Sequence, residues 1–292
     1  MSNTGPESTV PSGGWGGENP LLAVDGDSFA HRAYHALPKS IRFNAVVGFA
    51  NMLIRLWEME SPRAVLVGWD SLGTPTYRNE LFPGYQGGRE FDDSLLTQLD
   101  MLPQLVNALG FVAAKEGGYE ADDFLAAAVR AEEARGGTCV VATGDRDAFQ
   151  LASESTVILF PTRGVSEMTR VGPDEVRERY GVEPHQVPDF IALRGDPSDK
   201  LPGAKGVGPK TAADLLRQYG SLDDALAAGR FAAQADELRM YRHIAAMDAD
   251  APVPELADAH PDWQGGSALA REWGLNQLAD RLAKRTETPS TS

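Results

Sequence analysis

The chain is poor in cysteine, in lysine and in long apolar runs. Its single cysteine, Cys139, excludes a disulfide framework and any multi-cysteine zinc site. Apolar residues nowhere run for the roughly 20 positions a membrane-spanning helix needs, so no membrane partner is expected. The amino terminus lacks a basic stretch followed by an apolar one, which speaks against a secretory leader and for a cytoplasmic protein. Positive charge is scarce as well: Lys and Arg total 27 against 42 Asp and Glu, a net charge of −15. Taken at face value, that balance argues against a nucleic-acid partner, because phosphate wants a basic face. What is present suits a folded domain: 292 residues, 42% hydrophobic and 24% charged.

Residues 1–19 and 286–292 are dominated by small polar residues, Gly and Pro, and are expected to be disordered tails. Between 20 and 180, apolar runs at 21–24, 64–69, 111–114, 138–142 and 155–160 suit buried parallel strands. Helical patterns at 44–59, 94–109 and 122–135 separate them. This alternation predicts an α/β domain with a mostly parallel sheet, whose ligands bind beyond the carboxyl ends of the strands. After about residue 172 the strand signal ends. Helical segments at 173–180, 187–193, 209–219, 221–228, 233–247, 267–273 and 275–284 predict an all-helical region over 181–285, broken by a Pro-rich loop at 250–263.

The acids sit where such a sheet would bind a ligand. Asp25 follows the run LLAV, and Asp70 follows AVLVGW. Glu120, Asp122 and Asp123 follow FVAA at the start of a helix, and Asp145 and Asp147 follow TCVVATG. Asp196 and Asp199 stand in RGDPSDKLPG. Any one of these, alone, reads as a helix cap or a first-turn acid. Gathered at one edge, nine carboxylates would repel one another, and a hard cation relieves that repulsion. All-oxygen donors select Mg2+ or Mn2+, and one such ion needs only one or two carboxylates. Two ions are therefore expected, an arrangement suited to phosphoryl displacement. Such ions would also supply the positive potential that the net charge lacks.

A second segment, KLPGAKGVGPKTAA at 200–213, is not a P-loop, because Pro209 stands where the lysine should be. It reads as a helix-hairpin-helix turn. Gly203, Gly206 and Gly208 would allow close approach and positive φ, and Pro209 suits a first helical turn. The free amides of that helix, with Lys205, Lys210 and Thr211, would then face a phosphate. Lys200, Lys205 and Lys210 are half of the lysines in the chain. A plain turn between helices, with exposed lysines, remains open.

Taken in order, the motifs VDGDSFAHRAYHAL, WDSLGTPTYRNE, GYEADDFLA, TGDRDAFQL and GDPSDKLPGAKGVGPKTA resemble those of the 5′-nuclease family. This family comprises the flap endonucleases and the 5′-to-3′ exonuclease domain of bacterial DNA polymerase I. The resemblance covers about residues 20–285. It implies a PIN-like α/β core over 20–180 with a helical arch near 82–98, and a DNA-binding helical region over 181–285. Within that region, 200–211 would be a helix-two-turn-helix element. The resemblance implies Asp25, Asp70, Glu120 and Asp122 at a first metal. Asp145, Asp147, Asp196 and Asp199 would serve a second, with Asp145 near both and Asp123 assisting. Arg32 and Arg78 would lie beside the scissile phosphate. Tyr85 and Arg89 belong to the arch, which is Gly-rich at its start and is expected to order only on substrate. Lys200, Gly203, Lys205, Gly206, Gly208, Lys210 and Thr211 would grip duplex DNA, with K+ on the hairpin carbonyls.

The implied activity is structure-dependent 5′–3′ exonuclease and flap endonuclease cleavage in replication and repair. The implied partner is DNA with 5′ flaps, nicks or 5′ ends, and the implied state a monomer without a polymerase domain. One departure is clear: Gln86 follows the arch tyrosine where the family commonly has lysine. The lost charge implies slower cleavage unless Arg89 or Lys39 substitutes. Gln86 is also the feature that favours an alternative, a non-catalytic binder of branched DNA. A second alternative is a haloacid-dehalogenase-like phosphatase, which Asp25 and Asp27 after a strand resemble. That reading leaves Glu120, Asp145, Asp147 and Asp199 unexplained, and Asp27 reads more simply as a helix cap. The segment KGVGPKT weighs against a third, an RNA-cleaving minimal PIN domain.

Overall fold

The computed structural model describes residues 19–88, 91–163 and 167–286. The tails expected at 1–19 and 286–292 lie outside them, apart from Asn19 and Thr286, which ends the last helix. The first half of the chain runs β1 Leu21–Asp25, α1 Gly26–Ala36, α2 Asn44–Glu60, β2 Ala64–Gly68, α3 Tyr77–Leu81, α4 Asp93–Ala108, β3 Val112–Ala114, α5 Ala121–Ala134 and β4 Cys139–Ala142. The hairpin β5 Thr156–Arg163 and β6 Glu167–Val171 follows. The rest is helical: α6 Pro173–Tyr180, α7 Val187–Arg194, α8 Pro209–Tyr219, α9 Leu222–Ala227, α10 Ala235–Ala245, α11 Trp263–Glu272 and α12 Asn276–Thr286. Among the described residues no helix is long and apolar enough to cross a membrane.

The strand order is β3-β2-β1-β4-β5-β6, parallel except for the antiparallel β5–β6 pair. From β1 the chain moves outward through β2 and β3, then returns to place β4 on the other side of β1. The crevice beyond the carboxyl ends of β1 and β4 is thus a topological switch point, the usual ligand site of such sheets.

Both faces of the sheet are covered, so its central strands read as continuous apolar runs rather than as alternations. Leu21, Ala23, Leu66, Val141 and Ile158 face one layer, with Phe124 and Leu125 of α5 and residues of α7, α8 and α10 such as Phe190, Leu216 and Ile244. Leu22, Val24, Val67, Val140 and Leu159 face the other, with Phe29, Phe49, Leu53 and Leu102 from α1, α2 and α4. Ala270, Leu278 and Leu282 from α11 and α12 complete that second layer. The last two helices therefore return to the sheet instead of extending the α6–α10 region. The long segment between α10 and α11 is pinned by Arg63, whose Nη1 donates to the Leu256 carbonyl at 2.6 Å and to Asp258 Oδ1 at 3.0 Å.

Candidate active site

Asp25 ends β1 and caps α1, its Oδ1 accepting from Ser28 N at 2.9 Å. Its Oδ2 accepts from Thr143 Oγ1 at 2.7 Å, across the switch point from the end of β4. Asp70 stands just beyond β2, and its Oδ1 accepts from Ala121 N at 2.8 Å, capping the start of α5. That contact is possible because residue 68 is glycine: a Cβ there would lie 2.5 Å from the Ala121 carbonyl oxygen. The first turn of α5 is thereby pressed onto the end of β2, which brings Glu120 and Asp122 beside Asp70. Asp27 is not a cap. It is buried, and its Oδ2 accepts from Asp70 N at 2.7 Å, fixing the loop that carries Asp70.

These groups open into a cleft of about 470 Å3 lined by the carboxylates of Asp25, Asp27, Asp70, Glu120, Asp122, Asp145, Asp147 and Asp199. Burial, reinforced by the charges of Asp70 and Asp145, pushes the Asp25 carboxyl up to about 7. Burial also raises Asp27, Glu120, Asp122 and Asp147, each with neighbouring acids adding to the effect. Crowding and partial desolvation of this kind disfavour the ionised carboxylates and favour the uptake of a proton or a cation. The donor set is all oxygen, and Asp122 Oδ1 is buried without a hydrogen-bond partner. Both facts fit a hard divalent cation. The acids line the cleft rather than converge: among the described residues no three His, Cys, Asp or Glu side chains close into a ready-made ion cage. Magnesium suits an open arrangement, since it keeps several of its waters.

Two family descriptions match the chain: the 5′–3′ exonuclease N-terminal resolvase-like domain over residues 20–181, and the 5′–3′ exonuclease C-terminal SAM fold over residues 182–263. The chain belongs to the 5′–3′ exonuclease family. It is 44% identical over 210 residues to DNA polymerase I of Mycobacterium tuberculosis, covering 69% of this chain and 23% of the polymerase. It is 35% identical over 291 residues to DNA polymerase I of Bacillus caldotenax, covering 93% of this chain and 33% of that protein. The chain thus spans a third or less of these relatives. Its fold is that of T5 5′-exonuclease, solved with bound zinc (TM-score 0.69, 18% identity, 91% of this chain and 98% of that one). It is also that of the catalytic core of Rad2 in complex with DNA substrate (TM-score 0.60, 15% identity, 92% and 93%). Membership in this family sets the phosphatase reading aside.

In this exonuclease several expected site residues are committed elsewhere. Arg78 is not open to a phosphate. Its guanidinium is 1% exposed and grips Asp123 by two bonds of 2.8 and 2.7 Å. It also donates to the carbonyls of Ile244 at 3.0 Å and Ala246 at 3.3 Å, at the carboxyl end of α10. With Glu120 and Asp122 each 3.7 Å away, Arg78 is the internal counter-charge of the acid cluster. Burial alone would lower its pKa, but the acids outweigh that and hold it well above the usual range.

Asp123 is likewise not free to ligate an ion. Its oxygens accept from Arg78, from Glu120 N at 3.0 Å and from Asp248 N at 2.7 Å. Asp196 is buried behind the cleft lining, accepting from Ser198 N at 2.8 Å and from Arg194 Nη2 at 3.1 Å, with its charge still felt by Asp147.

Near 82–98, where an arch that orders only on substrate is expected, the described residues form turns and the start of α4. Residues 83–88 form turns between α3 and α4, and Tyr85 is buried rather than displayed to a substrate. Its hydroxyl donates to Glu120 Oε2 at 2.9 Å, and Gln86 Nε2 donates to Asp199 Oδ1 at 3.1 Å. Lys200 Nζ donates to the Gly87 carbonyl, so this lysine ties the hairpin to the arch base. Arg89 lies outside the described residues. Arg32 stands at the rim, with Nη2 3.5 Å from the Pro161 carbonyl.

At the hairpin, Gly203 (φ +74°) and Gly206 (φ +79°) are left-handed as expected, but Gly208 is not: at φ −100°, ψ 179° it is the extended N-cap of α8. Lys205, Lys210 and Thr211 are exposed beside it.

The sequence reading missed Asp27, Thr143 and the inward role of Arg78. The only signal for Asp27 was its position two residues after Asp25. Nothing local marks Arg78 as the partner of an acid 45 residues away.

Proposed function

We propose that this exonuclease hydrolyses DNA phosphodiester bonds at 5′ ends, nicks and flap junctions with two divalent ions, Mg2+ or Mn2+. The observation that carries the proposal is the carboxylate cleft at the switch point in a chain of this family. Asp25, Asp70, Glu120 and Asp122 would hold one ion; Asp145, Asp147 and Asp199 would hold the other. When bound, such ions neutralise the phosphate and lower the pKa of an attacking water. The chain supplies the geometry. Thr143 and the Ser28 amide hold Asp25, Asp27 holds the Asp70 loop, and Tyr85 orients Glu120. Arg78 with Asp123 fixes the first turn of α5. Arg32 and Arg89 are the basic groups proposed for the scissile phosphate.

Residues 20–180, with α11 and α12 packed on their sheet, would form the nuclease core, and the helices α7–α10 the region that grips duplex DNA. Lys205, Lys210 and Thr211 would act with the amides after Gly206 and Gly208, and K+ could sit on the hairpin carbonyls. The protein would act as a cytoplasmic monomer in replication and repair.

The test is cleavage of a labelled 5′-flap DNA and of a blunt duplex, with and without Mg2+. Mg2+-dependent cutting near the flap junction, lost in Asp70→Ala and Asp145→Ala, supports the reading. Tight flap binding without cleavage in Mg2+ or Mn2+ would replace it with a non-catalytic binder.

A further inference from the structure

Beside the acid cleft lies a second cavity of the opposite character. It measures about 570 Å3 and is formed between α6, α7, α8 and the loop after β4. Arg146, Arg179, Arg194, Lys210 and Arg217 line it, against one lining carboxylate, Asp214. In a chain with a net charge of −15, five cations around one cavity are a marked local inversion.

Three of the four arginines lie over aromatic rings. Arg194 lies over Phe190 at 5.4 Å, Arg179 over Phe149 at 6.0 Å and Arg146 over Phe160 at 5.7 Å. Tyr180 and Phe190 stack in the cavity wall, 5.0 Å apart. A ring face orients a guanidinium without neutralising it. Among the described residues no carboxylate forms an ion pair with Arg146, Arg179 or Lys210. Arg194 uses one nitrogen on Asp196 at 3.1 Å, while its Nε is buried without a hydrogen-bond partner. Arg217 pairs with Asp214 only across an exposed helix face, a contact of little worth in water. The site is thus built for an oxyanion with several acceptor oxygens, for which forked guanidinium donors are suited. Arg146 stands between Asp145 and Asp147 in sequence, so the cavity adjoins the cleft, and Lys210 connects it to the hairpin.

We infer that this cavity is a phosphate-binding subsite for the DNA backbone, set between the carboxylate cleft and the glycine hairpin, with Arg179 and Arg217 as its exposed contacts. The inference rests on the nuclease reading for its ligand, a backbone phosphodiester.

The experiment measures binding of a flapped duplex without divalent metal, over a range of KCl, for the wild type, Arg179→Gln/Arg217→Gln and the control Arg281→Gln. Arg281 lies on α12 and hydrogen-bonds to Asn51. Each lost phosphate contact should reduce the slope of log K against log salt by about 0.9. The double variant is expected to bind about tenfold more weakly near 0.1 M salt, with a slope shallower by about 1–2, regardless of DNA sequence. In Mg2+ its KM should rise by more than its kcat falls. The control should match the wild type.

An unchanged affinity and slope in the double variant would overturn the inference. So would variant-sensitive binding of inorganic phosphate with no change in the DNA slope, which would mark a free-anion site. A wild type that binds with the expected variant-sensitive slope but does not cleave would leave the subsite standing and remove the nuclease reading.

Discussion

Among the described residues, Arg78 is the buried cation that the fold sets against the acid cluster. Arg78 and Asp123 are 1% and 0% exposed, and each satisfies further backbone groups. Removing one partner leaves an unpaired buried charge, which typically costs about 3–5 kcal/mol. Arg78→Ala is therefore expected to lower stability by that amount, measured by urea unfolding. Arg78→Lys should recover little, because a single ammonium cannot replace the two-pronged contact.

The remaining carboxylates make metal-free stability depend on pH in an unusual direction. Asp25 is raised from 3.8 to about 7, so its proton is held more tightly in the folded state than in the unfolded chain. The corresponding stability is fully present below the unfolded value and is lost as pH rises through about 7. Asp27, Glu120, Asp122 and Asp147 shift in the same direction. In EDTA, the melting temperature should fall between pH 5 and pH 8. Adding Mg2+ at pH 8 should restore it, and restore it less in Asp145→Ala. A melting temperature that is flat or rises over that window would contradict the account.

At the scale of elements, the glycine hairpin separates stability from recognition. Gly203 has φ +74°, and a Cβ on it would lie 2.4 Å from Gly195 N, so strain and clash add. Gly203→Ala should cost more than about 2 kcal/mol. Gly208 is extended and a Cβ there would meet nothing within 4 Å. Gly208→Ala should change stability by less than about 1 kcal/mol. A fall in DNA affinity in that variant would then report the approach of a backbone phosphate, read by comparing urea midpoints with binding curves.

The elements were unequally legible. The runs at 21–24, 64–69 and 138–142 became β1, β2 and β4 because both faces of those strands are covered, so nothing polar interrupts them. The edge strand β6, EMTRV, is exposed or half-buried at four of five positions and carries no such signal. α1 was hidden by its sequence GDSFAHRAYHA, where helical spacing is mixed with an acid and two histidines, of which Asp27 and His31 line the cleft. The acids at the strand ends were legible from position alone. Which of them are consumed internally was not, because contacts such as Arg78–Asp123 and Arg194–Asp196 are decided by packing.

Over the whole molecule, the chain closes on itself beyond the end of the C-terminal family match. That match ends at residue 263, where α11 begins, and α11 and α12 cover the α2–α4 side of the sheet. Leu278, Ala279 and Leu282 are buried in that layer, and Trp263 meets Trp57 edge-on with centroids 5.4 Å apart. Arg285 lies over Trp263 and pairs with Glu58. Burying one large aliphatic side chain is worth about 1.5–3 kcal/mol. Uncovering two leucines, the tryptophan pair and the facing surface of α4 together approaches the about 5–15 kcal/mol that holds a typical domain folded. A chain ended at residue 262 is therefore expected to express in aggregates or to melt without a cooperative transition, although every cleft carboxylate is retained. The graded control is Leu282→Ala, which should cost about 2–5 kcal/mol while leaving a single transition. If the shortened chain melts cooperatively within a few degrees of the full one, α11 and α12 are an appendage to the nuclease fold rather than the second cover of its sheet.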